Sequence, residues 1–129
     1  MFVDSHCHLA DEAFLADLPE VVARAHAAGV LQAVCILSAD TPEEHARVAA
    51  VQAAWPGVIF ATAVHPHRAG AYADRVGDAV SAVRDTTMRV GARLLGEMGL
   101  DYHYDFAPRT VQQEVFAAQV QLAVELDLP

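Results

Sequence analysis

Basic side chains are scarce in this chain of 129 residues. Eight Lys and Arg stand against 17 Asp and Glu, for a formal net charge of -9. A broad cationic surface gripping nucleic acid phosphates is thereby excluded, and any phosphate contact has to be local, through bound cations or a few arginines. Cysteine is nearly absent as well: Cys7 and Cys35 are the only two, each inside an apolar strand-like run. That placement suits packed, reduced thiols and argues against a disulfide-built scaffold. No apolar stretch reaches the roughly 18 to 20 residues of a membrane span before charge, Gly or Pro interrupts it. The start of the chain also lacks a basic segment followed by an apolar one, so no signal peptide is expected and a cytoplasmic location is.

What the chain has in quantity is apolar residues, at 54 % of the total with a mean hydropathy of +0.25. Parallel strands buried on both faces and Ala-rich helices would account for this, and the length allows one small domain with a real core. Four strand-like runs end near His8, Ser38, His65 and Glu97, each followed by a helix-like stretch, at the roughly 30-residue spacing of a βα unit. Asp17-Leu18-Pro19-Glu20 predicts a helix start and Gly29 its end. Val30 to Ser38 reads as a strand. Thr41-Pro42-Glu43-Glu44 repeats the start signal, with Thr41 as cap and Glu44 closing a capping box, and that helix should stop near Trp55-Pro56-Gly57. Val58 to Val64 reads as a buried strand, Val76, Val80 and Val83 mark a third helix, and Ala92 to Gly96 a fourth strand. Thr110-Val111-Gln112-Gln113 forms a third capping box, after which Val111, Val115, Ala118, Leu122 and Leu126 recur at helical spacing.

Alternating strands and helices give a parallel sheet, either open or closed into a barrel. The candidate functional residues sit at the C-terminal ends of successive strands, which favours the barrel, where that face carries the chemistry. A full (β/α)8 barrel has eight units and about 250 residues. Four units are present, so the expected architecture is the N-terminal half of a single TIM-type barrel domain spanning 1–129.

His6 and His8 share a face of the first strand if the two-residue period holds, while Cys7 points the other way. Two imidazoles and a carboxylate, Glu97, make up a donor set typical of a catalytic metal centre with a position left for water. Asp4 has the same parity and could orient one ring or anchor the strand. Glu97 follows an apolar strand between Gly96 and Gly99, which are expected to let backbone come close, and a buried carboxylate there needs a cation or a basic partner such as Arg93 or Arg109. His65-Pro66-His67 ends the third strand. Metal ligation and phosphate contact are both open to His65, and His67 and Arg68 could meet a phosphate. His26, His45 and His103 read as surface residues without converging partners, and Asp101 as a loop-stabilising one. Tyr102, Tyr104 and Phe106 form an aromatic loop that could stack on a base or pack over the barrel mouth.

Phe2-Val3-Asp4-Ser5-His6-Cys7-His8-Leu9, Ala63-Val64-His65-Pro66-His67 and Leu95-Gly96-Glu97-Met98-Gly99-Leu100-Asp101-Tyr102 resemble, in order, the first three signatures of the TatD family of metal-dependent deoxyribonucleases, and Gln113 through Pro129 resembles the helix that follows. The resemblance implies an amidohydrolase-like barrel with two divalent cations (Zn, Mn or Mg), in which His6 and His8 bind one ion and Glu97 bridges both. It implies DNA as substrate, with phosphodiester hydrolysis by a two-metal route and with His65 and His67 on the substrate side. The general acid or base is expected from the second half of the barrel, with the family's fourth motif and its later histidine and aspartate. Ala63-Val64 stands where members usually carry a glycine before the histidine. Two other readings remain open: a deaminase, esterase or deacylase on the same barrel, and a non-catalytic half-barrel associating with itself or a partner through uncovered strand edges.

Overall fold

The apolar runs become β1 (Phe2–Cys7), β2 (Val30–Ser38), β3 (Ile59–Ala63) and β4 (Leu94–Leu95), all parallel and in the spatial order β1-β2-β3-β4. The computed structural model describes residues 1–129. α1 (Leu18–Ala27), α2 (Pro42–Ala54), α3 (Val76–Val90) and α4 (Arg109–Leu126) alternate with the strands. A 3-10 helix over Pro66–Tyr72 follows β3. No helix is long and apolar enough to cross a membrane.

The inner strands bury apolar side chains on the face that the helices cover. Ala33, Cys35 and Leu37 of β2 and Phe60 of β3 pack with Leu18 and Val22 of α1 and Val51 of α2 in one cluster. Val64, Ala79, Val83 and Leu95 join Val115 and Leu122 of α4 in a second. β1 departs from the expectation of buried strands: it pairs only with β2, and Phe2 and Val3 stay exposed because no strand lies on its other side. β4 is also shorter than the expected Ala92 to Gly96, with two residues in the ladder. On its outer side Leu95 N–H donates to Pro129 C=O at 2.9 Å.

None of the three expected capping boxes forms. Asp17 makes no cap bond and pairs with Arg24 at 3.2 Å instead. Thr41 likewise caps nothing with its side chain, and Glu44 Oε2 accepts the Ser38 N–H at 2.7 Å. α4 begins at Arg109 behind Pro108, so Thr110 lies inside its first turn. In the Glu44 case a neighbouring strand end offers an unpaired N–H that competes with the helix's own orphan donors.

The buried stripe of α4 is Gln112, Val115, Gln119 and Leu122. Gln119 grips the backbone beside His65 on both sides: Val64 N–H donates to its Oε1 at 2.7 Å and its Nε2 donates to Val64 C=O at 3.1 Å. Truncating it strands two buried backbone groups, each costing about 1–3 kcal/mol. Gln119→Ala is therefore expected to lower stability in urea unfolding by about 3 kcal/mol, while Val124→Ala on the exposed side of the same helix should stay within about 0.5 kcal/mol.

Candidate metal centre

The two-residue period of β1 brings His6 and His8 together, their Nε2 atoms 3.1 Å apart. Two lone pairs facing each other at that distance repel unless a proton or cation lies between them. Glu97 arrives from beyond β4 and completes the group, with Oε1 3.4 Å from His6 Nε2 and Oε2 3.9 Å from His8 Nε2. One donor atom from each of the three lies within 4.8 Å of the others. Two nitrogens and one carboxylate oxygen so placed fit a divalent cation, with Zn, Mn and Mg suited to differing degrees. Side-chain exposures of 47 % and 49 % for the histidines and 36 % for Glu97 leave the group open to ligand.

Neighbouring residues sort into roles that differ in part from the sequence reading. Cys7 points away from the histidines, its thiol donating to Val34 C=O at 3.3 Å, and it faces Cys35 in register across β1 and β2. The hydrogen bond with Cys35 and then burial push the Cys7 thiol pKa far up, so it stays a neutral thiol; both cysteines are free. Asp4 orients neither ring: Oδ1 accepts the backbone N–H of His6 at 3.0 Å, which pins the strand. Glu97 pairs with neither Arg93 nor Arg109; its nearest basic neighbours are His6, His8 and His65, and the Arg109 guanidinium lies 4.5 Å over the Tyr102 ring. Gly96 and Gly99 are needed for their φ values of +155° and +152°. A Cβ at either would meet nothing within 4 Å, so close backbone approach is not the reason for glycine there.

His65 stands beside this group. Its Nδ1 accepts the backbone N–H of His67 at 3.1 Å, so the neutral ring carries its proton on Nε2, which faces Glu97 Oε1 at 3.7 Å. Burial holds its pKa below the usual histidine range, partly opposed by the Glu97 charge. The ring is thus a neutral N–H donor at neutral pH. A cavity of about 240 Å³ opens here, lined by His8, Ser38, Glu44, His65 and Glu97 among others. From the sequence Ser38 is expected at a strand end and Glu44 in a capping box, not at the site, and His45, expected on the surface without partners, bridges Ser38 C=O at 2.7 Å and Arg89 at 2.8 Å. His26 rests against Trp55 and His103 against Tyr104.

His67 belongs to the wall above. Its Nε2 meets Asp101 Oδ2 at 2.5 Å, and its ring touches those of His65, Phe106 and Tyr104. Asp101 also accepts the N–H groups of His103 and Tyr104. The loop is tied down from below by buried Gln112, which accepts from Asp101 N–H and donates to the carbonyls of Asp101 and Ala107. From the sequence Gln112 is expected only as part of a capping box and Gln119 is not singled out, although the two lie seven apart on the face that carries Val115 and Leu122.

Comparison with known proteins follows the same lines. The family model described as TatD related DNase matches residues 3–129. The metal-dependent hydrolase YabD of Bacillus subtilis is 32 % identical over 129 residues, all of this chain and 49 % of YabD. The 3'-5' ssDNA/RNA exonuclease TatD of Yersinia pseudotuberculosis is 35 % identical over 98 % of this chain and 47 % of its own length. The crystal structure of YjjV, a TatD homologue from Escherichia coli K12, superposes with a TM-score of 0.78 at 27 % identity, covering 99 % of this chain and 48 % of that one. The chain thus spans about half the length of the relatives it matches, and its sheet corresponds to half of a TIM barrel.

The His67 bond, followed by the two loop N–H groups, holds the Asp101 carboxyl at a pKa of about 2, below its ordinary 3.8. A lowered pKa means that its contribution to loop stability is present above the ordinary carboxylate range and is lost as pH falls through about 2. Carboxyl carbon NMR should give that midpoint, and His67→Ala should move it back toward 3.8. A midpoint unaffected by His67→Ala would contradict the pairing.

Proposed function

The chain belongs to the TatD-related DNase family, and on that premise we propose that it supplies the first four β/α units of a metal-dependent hydrolase cleaving phosphodiester bonds in DNA. The observation that carries the reading is the convergence of His6, His8 and Glu97 on one point at the C-terminal ends of the strands. In this reading His6, His8 and Glu97 would hold the divalent cations, two of them on the family's pattern. Cations bound there would supply Lewis acidity toward phosphoryl oxygens and a more acidic water. They would also reverse the local potential that an acidic chain presents to a polyanion.

The chain's own residues do the remaining work on the substrate side. His65, neutral and protonated on Nε2, donates a hydrogen bond to a phosphate oxygen beside Glu97. His67 orients His65 through its backbone N–H and offers its ring to the adjoining nucleotide. Neither residue removes a proton, and the general acid and base come from the second half of the barrel. Uncovered, the outer edge of β1 is a template for association, and the isolated chain is expected to self-associate, which light scattering would detect.

Titration with Mn²⁺ or Zn²⁺ tests the ligand assignment. His6→Ala and His8→Ala should each weaken binding by more than the roughly 10–100-fold that follows loss of a ligand's supporting partner, whereas unchanged stoichiometry and affinity would remove the chemical basis of the reading. Parallel assays on single-stranded DNA and on small esters and amides address the substrate. Turnover of the small molecules alone would move the enzyme to another hydrolase class.

A further inference from the structure

Cys7 is the one residue between His6 and His8, and the thiol it turns away from them meets a second one. Cys35 stands opposite it in the β1–β2 register, and residues paired in this way in a parallel sheet present their side chains on the same face. The two sulfurs are hydrogen-bonded to each other, and the backbone N–H groups of Leu9 and Ala10 also donate to Cys35 Sγ. These donors, the Cys7 thiol foremost, hold the Cys35 pKa below the usual thiol range although burial opposes them. Both thiols are free, Cys35 fully buried in the apolar cluster under α1 and α2 and Cys7 half-buried against it. A thiol that served packing alone would need neither a second thiol nor N–H donors.

We propose that Cys7 and Cys35 are a reversible dithiol–disulfide pair, oxidised by hydrogen peroxide, and that closing the disulfide turns the His6 and His8 rings out of the arrangement that holds a cation. The proposal rests on the reading of His6, His8 and Glu97 as metal ligands and adds a redox control to it. Neighbouring strands run about 4.8 Å apart, inside the roughly 4.4–6.8 Å between Cα atoms that a disulfide spans. The Cys35 sulfur takes one oxygen from the peroxide, whose O–O bond breaks to leave a sulfenic acid and a first water. The Cys7 sulfur then displaces that oxygen, which leaves with the Cys7 thiol proton as a second water while the S–S bond forms. Two thiols are oxidised by two electrons, and one peroxide is reduced to two waters. To bring the sulfurs to about 2.0 Å, β1 has to move, because it has a strand on one side only whereas β2 is held on both. Its pairing is already irregular between Asp4 and Cys7, so the movement falls on the segment that carries His6.

The whole chain, reduced and then treated with a small excess of hydrogen peroxide, is tested by thiol counting in denaturant, by peptide mapping and by calorimetric titration with Mn²⁺, a cation with little affinity for thiols. Oxidation should remove both thiols, link Cys7 to Cys35 within one chain and weaken Mn²⁺ binding about tenfold, as loss of a ligand's orienting contact does. A dithiol reductant should reverse all three. Linkage is reciprocal, so saturating Mn²⁺ should raise the reduction potential of the pair by the same factor, about 30 mV for two electrons. Cys7→Ala and Cys35→Ala should each bind Mn²⁺ as the reduced protein does and keep that affinity after peroxide, with folding checked by circular dichroism. Should either variant fail to fold, the other and the unsubstituted protein decide the matter. Thiols that survive peroxide, that gain oxygen without pairing or that pair between chains overturn the proposal, as does a disulfide that leaves Mn²⁺ affinity unchanged, and each leaves the metal reading intact. Failure of the reduced protein to bind Mn²⁺ overturns both.

Discussion

The parallel hydrogen-bonded register of the four strands is the constraint on which the site depends. Ser38 pairs with Ala63 and Thr62 with Leu95, so β2, β3 and β4 end almost level. Residues just past those ends, His65 and Glu97, are thereby brought beside His6 and His8 from β1 although up to 91 positions separate them in sequence. A one-residue slip in β1 would turn both imidazoles to the helix side and Cys7 to the mouth. Burial of Cys35 and Leu37 on β2 opposes such a slip from the far side of the sheet.

Around that register a second layer of polar contacts sets the rims of the site. α4 does this twice with buried glutamines, Gln119 on the Val64 backbone and Gln112 on the loop of Asp101. Each amide satisfies backbone groups that would otherwise be buried without partners. The last helix is thus as much a clamp on the C-terminal ends of β3 and β4 as an apolar cover. On the other side Glu44 and His45 of α2 hold the Ser38 backbone, and Glu44 also lines the cavity beside His65.

Electrostatics and packing point the same way within the site. Three imidazoles gather round one carboxylate, and none of the arginines enters the group. His65 is held neutral by burial and given a defined tautomer by the His67 N–H. The arrangement therefore keeps a lone-pair-rich donor set next to a fixed N–H donor, which is what a cation and an anionic ligand need side by side.

The sequence by itself determined the parallel βα alternation, the bounds of β2, the shared face of His6 and His8 and the family to which the chain belongs. These follow from two-residue and 3.6-residue periods and from contiguous motifs, and such short-range features survive without knowledge of partners. Only the tertiary structure decided that Asp4 serves the backbone, that Glu44 caps a strand rather than its own helix, that His45 is bridged and that the α4 stripe is half amide. In each case a polar side chain had several partners within reach, and the choice fell to groups distant in the chain whose nearness is created by sheet register and helix docking. The exposure of β1 had the same origin: whether an apolar strand is buried depends on its neighbours, and residues 1–129 place a strand on only one side of it.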